Sequence, residues 1–140
     1  MGLSESTLIM RLIDMKAKLT YTGIRVKNLD ESVRFYTKFL GMRETGRSDI
    51  QESQGQSVQL VSEDNGPTLE LNYYRKGSKF DTEYNVGEGL DHIAFQVEDL
   101  DKLEAEAGKA GYPVVLEMRS GNNKWAYIQD PNGIWLEVFA

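Results

Sequence analysis

Two stretches of the chain alternate between apolar and polar residues with the two-residue period of a β-strand. They are YTGIRV at residues 21–26 and HIAFQV at residues 92–97. In each stretch the apolar side chains would point to one face of a sheet and the polar side chains to the other. His92 is the only histidine in the chain, and it falls on the polar face. The pattern predicts two half-buried strands.

A segment with helical spacing follows each of these strands, because its apolar residues recur three or four positions apart. The apolar residues are Leu29, Val33, Tyr36 and Leu40 in the first segment and Leu100, Leu103, Ala107 and Ala110 in the second. A capping residue precedes each segment and a glycine follows it. These residues are Asn28 or Asp30 with Gly41, and Asp99 or Asp101 with Gly111. The sequence therefore predicts one helix after each strand.

The two halves of the chain repeat the same pattern. Val26, Leu29 and Asp30 are each matched by a residue of the same type 71 positions later. Three strand-like runs, with turn signals such as EDNGP and DPNG, then follow each helix. The runs are residues 42–47, 57–62, 67–74, 113–119, 124–129 and 134–139. This repetition predicts an α+β fold built from two tandem β-α-β-β-β modules.

The composition narrows the class of protein. The chain has 140 residues, of which 40% are hydrophobic and 27% charged, as in an ordinary globular domain. Its net charge of −6 argues against nucleic acid and against anionic membrane surfaces as partners. The absence of cysteine excludes disulfides, thiolate metal sites and cysteine nucleophiles. We therefore expect a small-molecule substrate and neither a nucleic-acid nor a membrane partner.

Residues 1–16 are predicted to be an N-terminal extension outside the folded domain. Their apolar run is short and broken by Arg11, so they resemble neither a signal peptide nor a membrane span. The start, MGLSES, fits the short myristoylation pattern, which is too unspecific to carry an argument. We expect one domain over residues 17–140, with modules at about 17–80 and 88–140, in the cytoplasm.

A set of polar and aromatic residues falls on the sheet face opposite the apolar one. The set consists of Tyr21, Glu70, His92 and Glu137, with Trp125 and Tyr127 beside them. Glu70 and Glu137 are equivalent in the repeat, and each is a carboxylate between large apolar neighbours, which needs a reason. One imidazole and two carboxylates form a reasonable set of ligands for a divalent metal. Solvent exposure of the polar residues and ordinary packing of the aromatic ones are the simpler alternatives.

Two longer segments resemble a known family. YTGIRVKNLDESVRFYTKFLGM and GLDHIAFQVEDLD resemble the two signature regions of glyoxalase I, a member of the vicinal-oxygen-chelate superfamily. That superfamily also contains bleomycin-resistance proteins and extradiol dioxygenases. The similarity covers residues 17–140 and includes LELNYY and the closing DPNGIWLEVF. It implies curved four-stranded sheets around a shared pocket.

The resemblance also implies a metal site. Such glyoxalases bind one divalent ion, either Ni²⁺, Zn²⁺, Co²⁺, Mn²⁺ or Mg²⁺. Its ligands are His or Gln on the first strand, Glu on the fourth, His on the fifth and Glu on the last. Those positions are Tyr21, Glu70, His92 and Glu137 in this chain. Three match, whereas Tyr21 stands in place of His or Gln, and Asp91 stands where Gly or His is usual.

The resembled enzyme isomerises the hemithioacetal of a 2-oxoaldehyde and a thiol, usually glutathione. The reaction removes a proton next to a carbonyl, and the metal acts as a Lewis acid. The resemblance implies that Glu137 or Glu70 moves this proton between adjacent carbons. Three roles are open to Tyr21: it coordinates the metal as a phenolate, it hydrogen-bonds a substrate oxygen, or it fills the site and leaves a metal-free pocket.

Two other functions are known on the same fold. A metal-free, drug-sequestering protein would enclose its ligand in an aromatic pocket, here lined by Tyr74, Trp125, Tyr127 and Trp135. A ring-cleaving dioxygenase would need two histidines and one glutamate, and this chain has one histidine. Two glutamates and a histidine on one face favour the metal-dependent lyase, because a binding protein has little use for converging carboxylates.

The resemblance finally implies a homodimer. Each module alone is an open half-barrel with exposed strand edges. Proteins of this length in the superfamily commonly pair and complete each metal site across the interface. We therefore expect two copies of the chain to act together.

Overall fold

The computed structural model describes residues 18–51 and 54–140, so the predicted extension at 1–16 lies outside the described residues. The elements are β1 (Tyr21–Arg25), α1 (Leu29–Arg34) with a π-helical segment (Phe35–Phe39), β2 (Arg43–Ile50), β3 (Gly55–Val61), β4 (Thr68–Tyr74), β5 (His92–Gln96), α2 (Leu100–Ala110), β6 (Leu116–Ser120), β7 (Asn123–Gln129) and β8 (Trp135–Phe139). This order confirms the prediction of two tandem β-α-β-β-β modules. Within the described ranges, no helix is long and apolar enough to cross a membrane.

Each module forms its own four-stranded sheet. The strand orders are β1-β4-β3-β2 and β5-β8-β7-β6. In both sheets the first strand pairs in parallel with the last strand of its module, and the remaining pairs are antiparallel. The open edge strands are therefore β1 and β2 in one sheet and β5 and β6 in the other.

Each helix begins at a side-chain cap, and each helical segment ends at a glycine in the left-handed conformation. Asn28 accepts a hydrogen bond from the backbone of Glu31, and Asp99 does the same for Lys102. Each thereby satisfies one of the backbone N–H groups that a helix N-terminus leaves free. Gly41 and Gly111 end the helical segments with φ of 76° and 90°, a conformation that suits glycine. Of the alternatives open in the sequence, Asn28 and Asp99 are thus the caps.

The apolar face of each sheet packs under the helices, as the alternation predicts. Ile24 and Leu71 are buried in the first sheet and Val26 just after β1, and Leu136 and Val138 are buried in the second sheet. Residues from both modules share one continuous core, since Tyr36, Phe35, Ile128 and Leu136 belong to the same cluster. The opposite face of each sheet is not covered by the helices, so its side chains are available to form a functional site.

A buried polar network joins the two modules. The Tyr36 hydroxyl donates to Asp130 Oδ2 at 2.8 Å, and Asn132 Nδ2 donates to Ser32 Oγ at 3.1 Å. Asn132 Oδ1 accepts from the backbone N–H of Lys27 at 2.7 Å. Asp130 and Asn132 come from the DPNG turn, whereas their partners lie on the first helix and just before it. The turn therefore holds the modules together as well as reversing the chain.

We expect Tyr36→Phe to lower the free energy of unfolding by about 1–2 kcal/mol near neutral pH, because it removes this hydrogen bond and keeps the ring. Burial, and then the Asp130 carboxylate, raises the pKa of Tyr36 well above its ordinary value of 10. The folded protein therefore keeps the phenol proton at pH values where the unfolded chain releases it, and stability falls as pH rises above about 10. Urea unfolding at about pH 7 and about pH 11 should show a smaller alkaline loss in Tyr36→Phe than in wild type. An equal loss in both proteins would contradict this role of Tyr36.

Candidate functional site

Tyr21 and Glu70 lie on the free face of the first sheet. In the parallel pairing of β1 with β4, Tyr21 is opposite Thr68 and Gly23 is opposite Glu70. Paired residues of neighbouring strands point to the same face, so Tyr21 and Glu70 are diagonal neighbours on that face. Tyr21 is 54% exposed and Glu70 is half-buried. These two residues form what we call the first half-site.

His92 and Glu137 have the same arrangement in the second sheet. His92 is opposite Trp135 and Ala94 is opposite Glu137 in the parallel pairing of β5 with β8. The histidine side chain is 36% exposed, and Glu137 is half-buried. Tyr21 corresponds to His92, and Glu70 to Glu137, in register as well as in sequence. His92 and Glu137 form the second half-site.

The Glu70 carboxylate is held by an amide from the neighbouring strand. Gln59 Nε2 donates to Glu70 Oε2 at 2.8 Å, and the two residues are register partners in β3 and β4. The same Nε2 also donates to Ser57 Oγ at 3.2 Å. The role of Gln59 was not predicted from the sequence. The available signal was its place on the polar face of GQSVQLV, but only the register of the sheet brings it beside Glu70.

The Glu137 carboxylate is held by a phenol in the equivalent place. The Tyr127 hydroxyl donates to Glu137 Oε1 at 3.2 Å, and the two residues are register partners in β7 and β8. The Tyr127 ring meets His92 edge-on at 5.6 Å between centroids and packs on Trp135 at 5.5 Å. Burial, and then the Glu137 carboxylate, raises the pKa of Tyr127, so its hydroxyl stays protonated to higher pH than that of an ordinary tyrosine.

Three other predicted pocket residues have defined places. Trp125 is opposite Phe139 and is half-buried on the face that carries Tyr127 and Glu137. Tyr74, at the end of β4, packs against Phe80 at 5.4 Å between ring centroids. Trp125 and Trp135 therefore lie near the second half-site. Tyr74 instead packs against the segment that links the two modules.

Asp91 contacts the imidazole. Asp91 Oδ1 lies 3.0 Å from His92 Nδ1, and the Asp91 side chain is 95% exposed. A carboxylate at Nδ1 fixes the ring orientation and leaves Nε2 as the nitrogen for a further ligand. The unusual residue before His92 therefore has a local role.

Small residues flank both glutamates on the side away from their donors. Gly23 lies beside Glu70, and Ala94 lies beside Glu137. These two positions are equivalent in the repeat. The carboxylates are therefore supported on one side and accessible on the other, which suits binding of an ion or a small molecule.

The two half-sites do not form one cluster within a single copy of the chain. Over residues 18–51 and 54–140, no group of three or more His, Cys, Asp or Glu is placed to hold a metal ion. A cleft of about 750 Å³ lies between the edge strands β1 and β5. His92 lines this cleft together with Thr22, Leu69, Phe95 and Phe139, whereas Tyr21, Glu70 and Glu137 do not line it.

Comparison with known proteins identifies the chain's relatives. The family model described as Glyoxalase/Bleomycin resistance protein/Dioxygenase superfamily matches residues 18–138. A lactoylglutathione lyase of Neisseria meningitidis is 32% identical over 126 residues, covering 86% of this chain and 88% of that protein. A probable lactoylglutathione lyase of Vibrio parahaemolyticus is 30% identical with the same coverage. The solved trypanothione-dependent glyoxalase I of Leishmania major is 32% identical, with a TM-score of 0.72, covering 89% of this chain and 86% of that one.

Proposed function

The chain belongs to the Glyoxalase/Bleomycin resistance protein/Dioxygenase superfamily, and we propose that it is a metal-dependent lyase of the glyoxalase I kind. Its substrate would be the hemithioacetal of a 2-oxoaldehyde and a thiol such as glutathione. The observation that carries the proposal is the matched pair of half-sites, each with a glutamate presented at the same register on a free sheet face. Relatives about 30% identical over most of the chain bear the name lactoylglutathione lyase.

The donor chemistry of the half-sites fits a divalent cation. Glu70, His92 and Glu137 supply two carboxylates and one imidazole, a set that suits Zn²⁺, Ni²⁺, Co²⁺ or Mn²⁺, and the carboxylates also suit Mg²⁺. His92 would use Nε2, because Nδ1 faces Asp91. Tyr21 would stand at the fourth ligand position or next to it. When bound, the ion supplies Lewis-acid stabilisation of the negative charge that develops on the substrate oxygens.

A glutamate of the protein would transfer the substrate proton between the two carbons. A glutamate removes the proton from the carbon that bears the hydroxyl and the sulfur, and returns it to the adjacent carbonyl carbon. The hydroxyl proton passes to the former carbonyl oxygen, and one carbon is oxidised while its neighbour is reduced, so the hydroxy ketone becomes a hydroxy thioester without an external oxidant or reductant. We assign this role to Glu137, because the Tyr127 ring beside it packs on Trp135 and gives it a more apolar surrounding than that of Glu70. Glu70 lies beside the polar Gln59 and Ser57.

A second copy of the chain would bring the half-sites together. Tyr21 and Glu70 of one copy would face His92 and Glu137 of the other, as the resemblance implies. An apolar patch at the β6 edge supports assembly: Val115, just before β6, and Leu116 and Met118 on the strand are 42–43% exposed. Exposed apolar side chains at an open sheet edge are typical of surfaces that become covered. The proposed protein is thus a homodimer, and we place it in the cytoplasm, where a thiol cosubstrate stays reduced.

The function is tested by turnover. The protein, stripped with a chelator and reloaded with Ni²⁺, Zn²⁺, Co²⁺, Mn²⁺ or Mg²⁺ in turn, is given methylglyoxal with glutathione or with trypanothione. We expect ion-dependent formation of the lactoyl thioester with at least one of these thiols. Absence of thioester with every ion would contradict the proposal. Binding of an aromatic drug without an ion would then favour the drug-sequestering alternative.

Tyr21→His is expected to strengthen metal binding at the proposed site. A neutral phenol is a poorer ligand than imidazole, because it must lose a proton to bind strongly. The variant should bind Ni²⁺ or Zn²⁺ roughly tenfold more tightly, which corresponds to about 1.4 kcal/mol, and should turn over hemithioacetal faster. Calorimetric titration of both proteins measures the change, with Tyr73→His on the opposite face of β4 as a control. Equal affinities of wild type and Tyr21→His would mean that position 21 does not face the ion.

A further inference from the structure

The two glutamates share a form of support that the repeat alone does not require. Each accepts a hydrogen bond from its register partner on the third strand of its own module: Glu70 from Gln59 at 2.8 Å, and Glu137 from Tyr127 at 3.2 Å. The donors differ in chemistry, one being an amide and the other a phenol. Both are neutral, so they orient a carboxylate without cancelling the charge that a cation needs.

Strand β2, which pairs with β3 on the side away from β4, leaves space for the Gln59 amide. Gly46 of β2 is the register partner of Gln59, next to an irregularity between Glu44 and Gly46. A Cβ atom at position 46 would lie 2.8 Å from Gln59 Oε1. The missing side chain therefore leaves the space that the amide oxygen occupies. With Oε1 in that space, Nε2 is directed at Glu70 and Ser57.

Tyr127 is fixed by its ring instead. Its edge-on contact with His92 and its packing on Trp135 hold the hydroxyl over Glu137. The same side chain thus touches both members of the second half-site. A shift of Tyr127 would move the carboxylate and release the imidazole together.

We propose that Gln59 and Tyr127 are positioning residues, each of which fixes one oxygen of its glutamate and presents the other oxygen to the bound ion, with Gly46 acting through Gln59. The inference rests on the proposed function, because it concerns the same metal site. Hydrogen bonds of this kind orient metal ligands, and their loss typically weakens metal binding by roughly 10- to 100-fold. The amide and the phenol support separate glutamates, so their contributions can be separated.

The test is calorimetric titration with Ni²⁺ and with Co²⁺ of Gln59→Leu, Tyr127→Phe and Gly46→Ala. Each should bind roughly 10- to 100-fold more weakly than wild type, and each should change the visible spectrum of bound Co²⁺. The matched controls are Gln56→Leu, on the same strand but the other face, and Tyr73→Phe, on the other face of β4; both should bind like wild type. Because Gly46→Ala acts on the free end of a flexible side chain, its fold should be kept, which circular dichroism checks.

A double variant separates positioning from general damage. If Gly46 acts only through Gln59, then Gly46→Ala with Gln59→Leu should bind no more weakly than Gln59→Leu alone. Additive losses would overturn the role of Gly46. Wild-type affinity and an unchanged Co²⁺ spectrum in Gln59→Leu and Tyr127→Phe would overturn the positioning role and leave the proposed function intact. A wild-type protein that binds neither ion would overturn both.

Discussion

Replacing Glu137 with glutamine is expected to lower kcat by roughly 10²- to 10⁴-fold, the usual worth of a positioned general base. The amide keeps the size of the side chain and can still accept the hydrogen bond from Tyr127, so the second half-site should keep its shape. What it loses is the ability to take up the proton from the substrate carbon. Steady-state kinetics with methylglyoxal and glutathione measure the change.

Two further variants test whether a loss of turnover is specific to Glu137. Glu106→Gln, on the exposed side of α2, should have wild-type kcat and KM. Glu70→Gln should reduce metal affinity, because it weakens a ligand of the ion. If Glu70→Gln abolished turnover of the loaded protein while Glu137→Gln reduced it by less than about tenfold, the base would be Glu70, and our assignment would be wrong.

Mixing Glu70→Gln with Glu137→Gln is expected to restore activity when it is measured at an ion concentration too low to load Glu70→Gln. If each site combines Glu70 of one copy with Glu137 of the other, a hybrid dimer of Glu70→Gln and Glu137→Gln contains one doubly altered site and one intact site. Equal amounts, unfolded and refolded together, give hybrids as about half of the dimers, so about a quarter of wild-type activity should return. The physical reason is that the half-sites lie on separate sheets and form no metal cluster within the described part of one chain.

The control for this experiment is each variant unfolded and refolded alone, which should remain at its own low activity. A mixture no more active than the average of the two would contradict a site shared between copies. In that case every site lies within one chain, and each chain of the hybrid would still carry one alteration. Light scattering on the wild-type protein checks the dimer independently.

The alternation of apolar and polar residues, together with the sequence repeat, was sufficient to predict the architecture. Alternation over 21–26 and 92–97 reflects burial on one side of a sheet, and the repeated offset joins both halves, so the order of strands and helices followed from the sequence. The equivalence of Glu70 with Glu137 was predictable for the same reason. The helix caps were narrowed to pairs, and the structure selected Asn28 and Asp99.

Contacts that depend on register and on tertiary packing were beyond the sequence. Gln59 lies next to Glu70 only because β3 and β4 pair in one register, and Gly46 is visible as its partner only once β2 is placed. The π-helical segment at Phe35–Phe39 has no local signal, since its residues fit a regular helix equally well. The DPNG turn was recognisable as a turn, whereas its hydrogen bonds to the first module require the packed structure.

We propose that Glu70, His92 and Glu137 together hold one divalent ion. The most direct measurement is calorimetric titration of the chelator-treated protein with Ni²⁺, beside His92→Ala. His92 is exposed on the pocket face, so its loss should leave the fold intact, which circular dichroism checks. We expect wild type to bind one ion per chain, and His92→Ala to bind it at least roughly 100-fold more weakly or not detectably. Binding of the ion with equal affinity by both proteins, or no binding by wild type, would contradict it.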